Sequence, residues 1–134
     1  MRTLKIFIVE DSPVILGNLI APLEELAPVQ VVASADNETT AVAWLDHVDH
    51  PVDLVIIDIF LKGGSGRGVL RRASGLKLST KLVVLSNYAT PDMRIKCIEL
   101  GADQVFDKSG EVEALIDYCE RLASNGTPSL TVPM

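Results

Sequence analysis

The pattern of apolar positions along the chain predicts strands that alternate with helices. Short runs of apolar and β-branched residues are typical of buried strands, whereas apolar residues recurring three or four positions apart are typical of amphipathic helices. Five strand-like runs occur, at residues 4–9, 29–33, 52–57, 81–85 and 104–106. The first, third and fourth are almost continuously apolar, like parallel strands covered on both faces. A helical segment follows each run, so we predict a doubly wound α/β fold on a five-stranded parallel sheet.

Capping residues and prolines set the expected helix boundaries. Ser12-Pro13 and Thr90-Pro91 each place a hydroxyl directly before a proline, which is a typical helix start. Pro22 falls inside the first helical segment and is expected to kink or loosen it. Gly101 is expected to end the fourth helix, and helical spacing predicts a last helix over residues 111–122.

The length of 134 residues suits a single domain. From residue 124 onward the chain is polar and contains two prolines, so we expect a domain over residues 1–123 and a flexible tail over 124–134. The sequence shows no signal peptide and no apolar stretch of membrane-spanning length. The two cysteines, Cys97 and Cys119, occupy apolar helical positions, and we expect buried free thiols in a cytoplasmic protein.

The formal net charge of −6 argues against direct binding of nucleic acid, because a phosphate backbone is bound by a basic face. The acidic residues are spread along the chain and are compatible with binding a cation. The nature of that cation is indicated by the residues that follow the predicted strands.

Polar residues gather where the predicted strands end. Glu10 and Asp11 follow the first strand, Asp58 ends the third, Ser86 ends the fourth, and Lys108 follows the fifth. In an open α/β sheet, this edge carries the functional crevice. If the first and third strands are neighbours, three carboxylates converge, and two such charges about 5 Å apart repel by roughly 3 kcal/mol. The group must then hold protons or a cation, and a site made only of oxygen ligands suits Mg²⁺.

The remaining two polar residues indicate phosphoryl chemistry. Lys108 and Ser86 would stabilise the oxygens of a phosphoryl group during its transfer. Asp58 would be the nucleophile, since an aspartate can attack phosphorus and form an acyl phosphate.

In these positions the chain resembles the receiver domain of two-component response regulators. Glu10-Asp11 is similar to the family's acidic pair, and Asp58, within IIDIFLKGGSG, is similar to its phosphoacceptor. Ser86 in VVLSN and Lys108 in GADQVFDKS match the switch hydroxyl and the lysine of that family. Each motif alone is weak, but together they cover about residues 3 to 123 in the expected order.

The resemblance implies a flavodoxin-like strand order of 2-1-3-4-5 and a role for each site residue. Asp11, Asp58 and the backbone carbonyl of Phe60 would ligate Mg²⁺, and Glu10 would act through water. Lys108 would bind a phosphoryl oxygen.

The resemblance also implies that Ser86 turns its hydroxyl toward a bound phosphoryl group. The donor would be a sensor histidine kinase or a phosphotransfer protein. The output would be a contact with a downstream protein or a second copy, through the face formed by helix 4, strand 5 and helix 5. Such a protein is a signalling switch that catalyses only its own phosphoryl transfer and dephosphorylation.

The chain departs from the family at two positions. Val105 stands where many members have an aromatic switch residue, and Phe106 is expected on the opposite face of the strand. Ser109 replaces a proline that is often in the cis form. Bulky Phe60 and Tyr88 lead to the hypothesis that water is crowded away from the acyl phosphate, making it long-lived.

Other interpretations remain for each residue taken singly. Glu10-Asp11 could simply favour the start of a helix, Asp58 could cap a turn, and Lys108 could be a solvated charge. A haloacid-dehalogenase-type phosphatase would need a second aspartate where Phe60 stands, and no phosphate-binding glycine motif follows the first strand. A degenerate receiver, acting as an interaction module without phosphorylation, remains the main alternative.

Overall fold

The computed structural model describes residues 3–46, 52–61, 63–75, 80–87 and 89–125. Within them, five strands alternate with five helices. The strands are β1 (Leu4–Val9), β2 (Val29–Ala35), β3 (Leu54–Asp58), β4 (Lys81–Ser86) and β5 (Gln104–Asp107). The helices are α1 (Pro13–Leu26), α2 (Glu38–Asp46), α3 (Gly66–Gly75), α4 (Pro91–Glu99) and α5 (Val112–Asn125).

The strands form one parallel sheet in the order β2-β1-β3-β4-β5, so the predicted fold class and strand order are confirmed. Four strands extend one or two residues beyond the apolar runs that predicted them. Asp58 pairs with Leu85, and Ser86 pairs with Asp107, as extensions of these ladders. Backbone pairing with a neighbouring strand, and not only apolar burial, therefore decides where each strand ends.

The sheet buries a separate apolar cluster on each face. One cluster packs Phe7, Val9 and Val105 against residues of α2, α3 and α4, and the other packs Ile6, Ile8 and Phe106 against α1 and α5. Val105 and Phe106 thus lie on opposite faces of β5, as the two-residue period of a strand predicts.

The two cysteines divide between these clusters. Cys97 lies in the cluster with α2 and α3, and Cys119 lies in the cluster with α1; both are buried and free, as expected. Burial raises the pKa of the Cys119 thiol to about 12. At neutral pH this thiol is therefore protonated and packs as an apolar group.

The predicted helix starts agree with the structure. Ser12 accepts a hydrogen bond from the Ile15 N–H at 3.3 Å, and Thr90 accepts one from the Met93 N–H at 3.2 Å. Helix α1 continues through Pro22 to Leu26. Gly101, which follows the C-terminal capping residue Leu100 of α4, has a φ of +115°, a conformation that favours glycine.

Helix α5 extends to Asn125, three residues beyond the expected end at residue 122. The expected tail lies, from residue 126 on, outside the described residues. Helix α2 carries Trp44, whose ring stacks on Phe7 of β1 with the ring centres 4.1 Å apart and the planes 12° from parallel. This stacked pair joins α2 to β1.

Candidate functional site

The five polar residues singled out in the sequence lie at the carboxyl edge of the sheet. Glu10 continues the ladder of β1, since its N–H donates to the Ala35 carbonyl at 2.9 Å. Asp58 and Ser86 are the last residues of neighbouring strands, β3 and β4. Lys108 follows β5, and its N–H donates to the Ser86 carbonyl at 2.9 Å. Parallel pairing thus delivers these residues to one crevice.

Lys108 bridges two buried carboxylates. Its Nζ lies 2.6 Å from Glu10 Oε1 and 2.9 Å from Asp58 Oδ2. The side chains of Lys108, Glu10 and Asp58 are only 9%, 2% and 7% exposed. The other oxygen of each carboxylate is also held, because Glu10 Oε2 accepts from the Ser12 N–H at 3.1 Å and Asp58 Oδ1 accepts from the Phe60 N–H at 3.0 Å.

Asp11 is the third carboxylate of the cluster. One carboxylate oxygen each from Glu10, Asp11 and Asp58 lies within 4.8 Å of the others, and Asp11 is only partly buried. Lys108 pairs with Glu10 and Asp58 of this cluster, so the three carboxylates and the one ammonium together carry a charge of −2 when all are ionised. Close oxygens carrying this excess charge fit a hard divalent cation such as Mg²⁺.

The protonation of the cluster follows from burial and pairing. Burial raises the pKa of the Glu10 carboxyl, against the opposing effects of Lys108 and the Ser12 N–H. Burial alone would lower the pKa of Lys108, but hydrogen bonds to Glu10 and Asp58 outweigh it, and the pKa is raised. Lys108 is therefore a charged donor at neutral pH. The ion pairs of Lys108 contribute fully to the free energy of unfolding below the ordinary pKa of lysine. This contribution is lost as the pH rises through the raised pKa.

Ser86 and Phe60 take different positions around Asp58. Ser86 is fully buried, and it lies one residue beyond Leu85, the strand partner of Asp58. Phe60 follows β3 with half of its surface exposed (51%), while its N–H is engaged by Asp58. The roles expected for the Ser86 hydroxyl and the Phe60 carbonyl stay predictions. Tyr88 lies outside the described residues.

The hydrogen bonds of Arg94, near the site, were not predicted from the sequence. Arg94 of α4 donates to the Ala89 carbonyl at 2.9 Å, to the Val105 carbonyl at 2.9 Å and to Glu111 Oε1 at 2.7 Å. It thereby ties the segment after β4 to β5 and to the residue before α5. Hydrophobic periodicity carries no signal for such a contact, since an arginine on a short helix is usually exposed.

Glu111, the partner of Arg94, also accepts from the Asp107 N–H at 2.8 Å. The hydrogen bond with Arg94 and that from the Asp107 backbone lower the pKa of the Glu111 carboxyl. Val105, which stands where many family members have an aromatic switch residue, thus contributes its backbone carbonyl to a network centred on Arg94. In the described part of the chain no peptide bond is cis, so Ser109 follows Lys108 through a trans bond.

Comparison with known proteins identifies the family to which the chain belongs. The model of the response regulator receiver domain family matches residues 6–120, so the chain belongs to this family. It is 26% identical over 124 residues to the Fimbriae Z protein of Salmonella typhimurium, covering 92% of this chain and 58% of that protein. It is 32% identical over 123 residues to a probable transcriptional regulatory protein of Picosynechococcus, covering 88% of this chain and 48% of that protein.

A solved structure agrees with the fold. A response regulator protein of Burkholderia pseudomallei, crystallised with a phosphorylated aspartic acid, a calcium ion and citrate, matches with a TM-score of 0.72 and 22% identity. The match covers 97% of this chain and 75% of that one. The chain spans about half the length of the curated relatives named above. Within the described residues, every helix is too short or too polar to cross a membrane.

Replacing Lys108 by alanine is expected to destabilise the protein by roughly 3 kcal/mol in Mg²⁺-free buffer at neutral pH, because two buried carboxylates lose their counter-charge. Urea unfolding of the variant and of the parent measures this difference. The control is Lys96→Ala at an exposed position of α4, for which a change within about 0.5 kcal/mol is expected. Equal stability of Lys108→Ala and the parent would show that the ion pairs are not needed for folding.

Replacing Glu111 by glutamine is expected to lower the free energy of unfolding at neutral pH by about 0.5 to 1 kcal/mol, since Arg94 and Glu111 are partly exposed. The folded-state pKa of Glu111 lies below its ordinary value of 4.5, so its contribution is present above that pH and lost as the pH falls through the folded-state value. The difference between variant and parent should therefore shrink in acid. Glu120→Gln, at an exposed position of α5, is the control, and a difference independent of pH would contradict the assignment.

Proposed function

We propose that this chain accepts a phosphoryl group on Asp58 in a Mg²⁺-dependent reaction and thereby switches its protein contacts. The observation that carries the proposal is the convergence of Glu10, Asp11 and Asp58, two of which, Glu10 and Asp58, pair with the charged Lys108. Their excess negative charge suits Mg²⁺, which would be held by Asp11, Asp58 and the Phe60 carbonyl, with Glu10 acting through water. When bound, the ion supplies positive charge that offsets the charge of the phosphoryl oxygens.

The residues of this chain divide the work of the transfer. An oxygen of Asp58 forms the new bond to phosphorus, while the bond between phosphorus and the nitrogen or oxygen of the donor breaks and its electron pair leaves with the donor. Lys108 already donates to Asp58 and would donate to a phosphoryl oxygen instead. The Ser86 hydroxyl would donate to a second oxygen. A response regulator of similar fold that contains a phosphorylated aspartic acid supports the choice of an aspartate as the phosphoacceptor.

The partners follow from the same chemistry. A sensor histidine kinase or a phosphotransfer protein would supply the phosphoryl group, and the face formed by α4, β5 and α5 would contact the downstream protein or a second copy. Phosphorylation adds about −1.5 to −2 charge at the site. Arg94 binds the carbonyl of Ala89, three residues after Ser86 in the sequence, and the carboxylate of Glu111, so it links the segment after β4 to this face.

Incubation with acetyl phosphate and MgCl₂ is expected to add one phosphoryl group, because a small acyl phosphate needs no partner protein. Intact mass spectrometry of the parent and of Asp58→Asn measures the gain. The substitution and EDTA should each abolish it. Asp117→Asn, at an exposed position of α5, is the matched control and should be phosphorylated like the parent. A folded parent that gains no mass, and also fails to bind beryllofluoride, would favour the degenerate receiver.

Phe60 is expected to slow the loss of the phosphoryl group by crowding the attacking water. After removal of excess acetyl phosphate, the fraction phosphorylated is followed with time by mass spectrometry. Phe60→Ala should lose the group several-fold faster than the parent. If the parent loses its phosphoryl group within seconds, or Phe60→Ala retains it equally long, this protective role is wrong.

A further inference from the structure

The loop after Asp58 is held from the side by the start of α2. Glu38, the first residue of α2, accepts a hydrogen bond from the Ser65 N–H at 2.7 Å through Oε1. Its own N–H donates to the Gly63 carbonyl at 2.9 Å. Asn37 also pairs with Gly63 in an isolated parallel bridge. The junction between β2 and α2 therefore engages the loop between β3 and α3 through both backbone and side chain.

Two glycines make room for the Glu38 side chain. A Cβ atom at Gly64, where φ is +94°, would lie 2.5 Å from Glu38 Cβ. A Cβ atom at Gly68 would lie 2.0 Å from Glu38 Oε2. Both distances are shorter than non-bonded atoms permit. The glycine-rich sequence after Asp58 thus does more than form a turn, because it admits a carboxylate from another element.

The loop that Glu38 holds leads back to the phosphoacceptor. The Gly66 N–H donates to the Ile59 carbonyl at 3.1 Å and closes the base of the loop. Gly66 also packs so closely that a Cβ atom there would lie 2.1 Å from the Asp58 carbonyl oxygen. Phe60, whose N–H donates a hydrogen bond to the Asp58 carboxylate, is one of the residues between Ile59 and Gly66. A shift of Ser65 would therefore be passed through Gly66 to Ile59 and Asp58.

From these contacts we infer that Glu38 is a positioning residue for the phosphoacceptor loop. By accepting the Ser65 N–H it holds the loop in an arrangement in which Asp58 and the Phe60 carbonyl would both be available to ligate Mg²⁺. This inference rests on the function proposed above. Its physical basis is preorganisation, since a loop fixed beforehand loses less conformational entropy when the ion binds.

Two substitutions separate the hydrogen bond from the charge. Glu38→Gln removes the charge but keeps an oxygen that can accept from Ser65, whereas Glu38→Ala removes both. Titration calorimetry gives the Mg²⁺ affinity, and mass spectrometry gives the initial rate of phosphorylation by acetyl phosphate. Glu38→Ala is expected to weaken Mg²⁺ binding by about tenfold, the lower end of the effect that loss of groups supporting metal ligands has. Glu38→Gln and the surface control Glu120→Ala should stay close to the parent.

A third variant keeps the charge and displaces the carboxylate. Gly68→Ala should weaken Mg²⁺ binding as Glu38→Ala does, because the added methyl group occupies the place of Oε2. In the Glu38→Ala background the same substitution should leave Mg²⁺ affinity unchanged and raise the thermal midpoint, since alanine is the better helix former. If Glu38→Ala alone folds poorly, unchanged Mg²⁺ affinity in a folded Gly68→Ala variant would overturn the inference.

These measurements distinguish failure of the proposed function from failure of the role inferred for Glu38. A parent protein that neither binds Mg²⁺ nor gains a phosphoryl group would overturn the proposed function and this inference with it. A parent that does both, beside a folded Glu38→Ala variant with unchanged affinity and rate, would overturn the inference alone. Equal weakening in Glu38→Ala and Glu38→Gln would also overturn it, since charge and not the hydrogen bond would then be responsible.

Discussion

The ammonium of Lys108, shared between the carboxylates of Glu10 and Asp58, is the interaction on which the site depends. The lysine lies 98 and 50 residues from its two partners along the chain, so only the completed sheet brings them together. A buried ion pair of this kind rarely stabilises a fold more than apolar packing would. Its presence at the sheet edge is therefore better explained by the chemistry of the site than by the needs of the core.

Around this cluster, two groups of hydrogen bonds and ion pairs join the helices to the loops at the sheet edge. On one side, Glu38 holds the loop after β3, and an Asp46–Arg72 ion pair of 2.7 Å joins the far ends of α2 and α3. On the other side, Arg94 joins the segment after β4 to β5 and to Glu111. Both side chains bind backbone of a loop that follows a site-bearing strand, at Ser65 after β3 and at Ala89 after β4. A change at Asp58 can therefore reach α2 through the loop after β3, and α4 through the segment after β4.

Much of this arrangement could be predicted from the sequence because its main determinants are local. The apolar runs of β1, β3 and β4 identify buried parallel strands, and Ser12 and Thr90 mark helix starts. The parallel topology then brings Glu10, Asp58 and Lys108 to one edge without further information. The direct pairing of Glu10 with Lys108 was not foreseen, because the sequence does not specify which carboxylate lies nearest the ammonium.

The contacts of Glu38 and Arg94 could not be predicted for a different reason. Glu38 meets Ser65 across 27 residues, and Arg94 meets Glu111 across 17, with no periodicity linking either pair. Both side chains bind backbone groups, which are present at nearly every position and carry no sequence signal. The glycines at positions 64 and 68 suggest a turn in the sequence, and only the structure shows that their missing side chains leave space for Glu38.

The stacking of Trp44 on Phe7 gives the protein a built-in optical reporter. Trp44 is the only tryptophan of the chain, so its fluorescence comes from a single, partly buried indole on α2. The indole senses the separation of this helix from β1 and not the packing of α1 and α5 on the opposite face. Loosening of one helical layer could thus be distinguished optically from global unfolding, without adding a label.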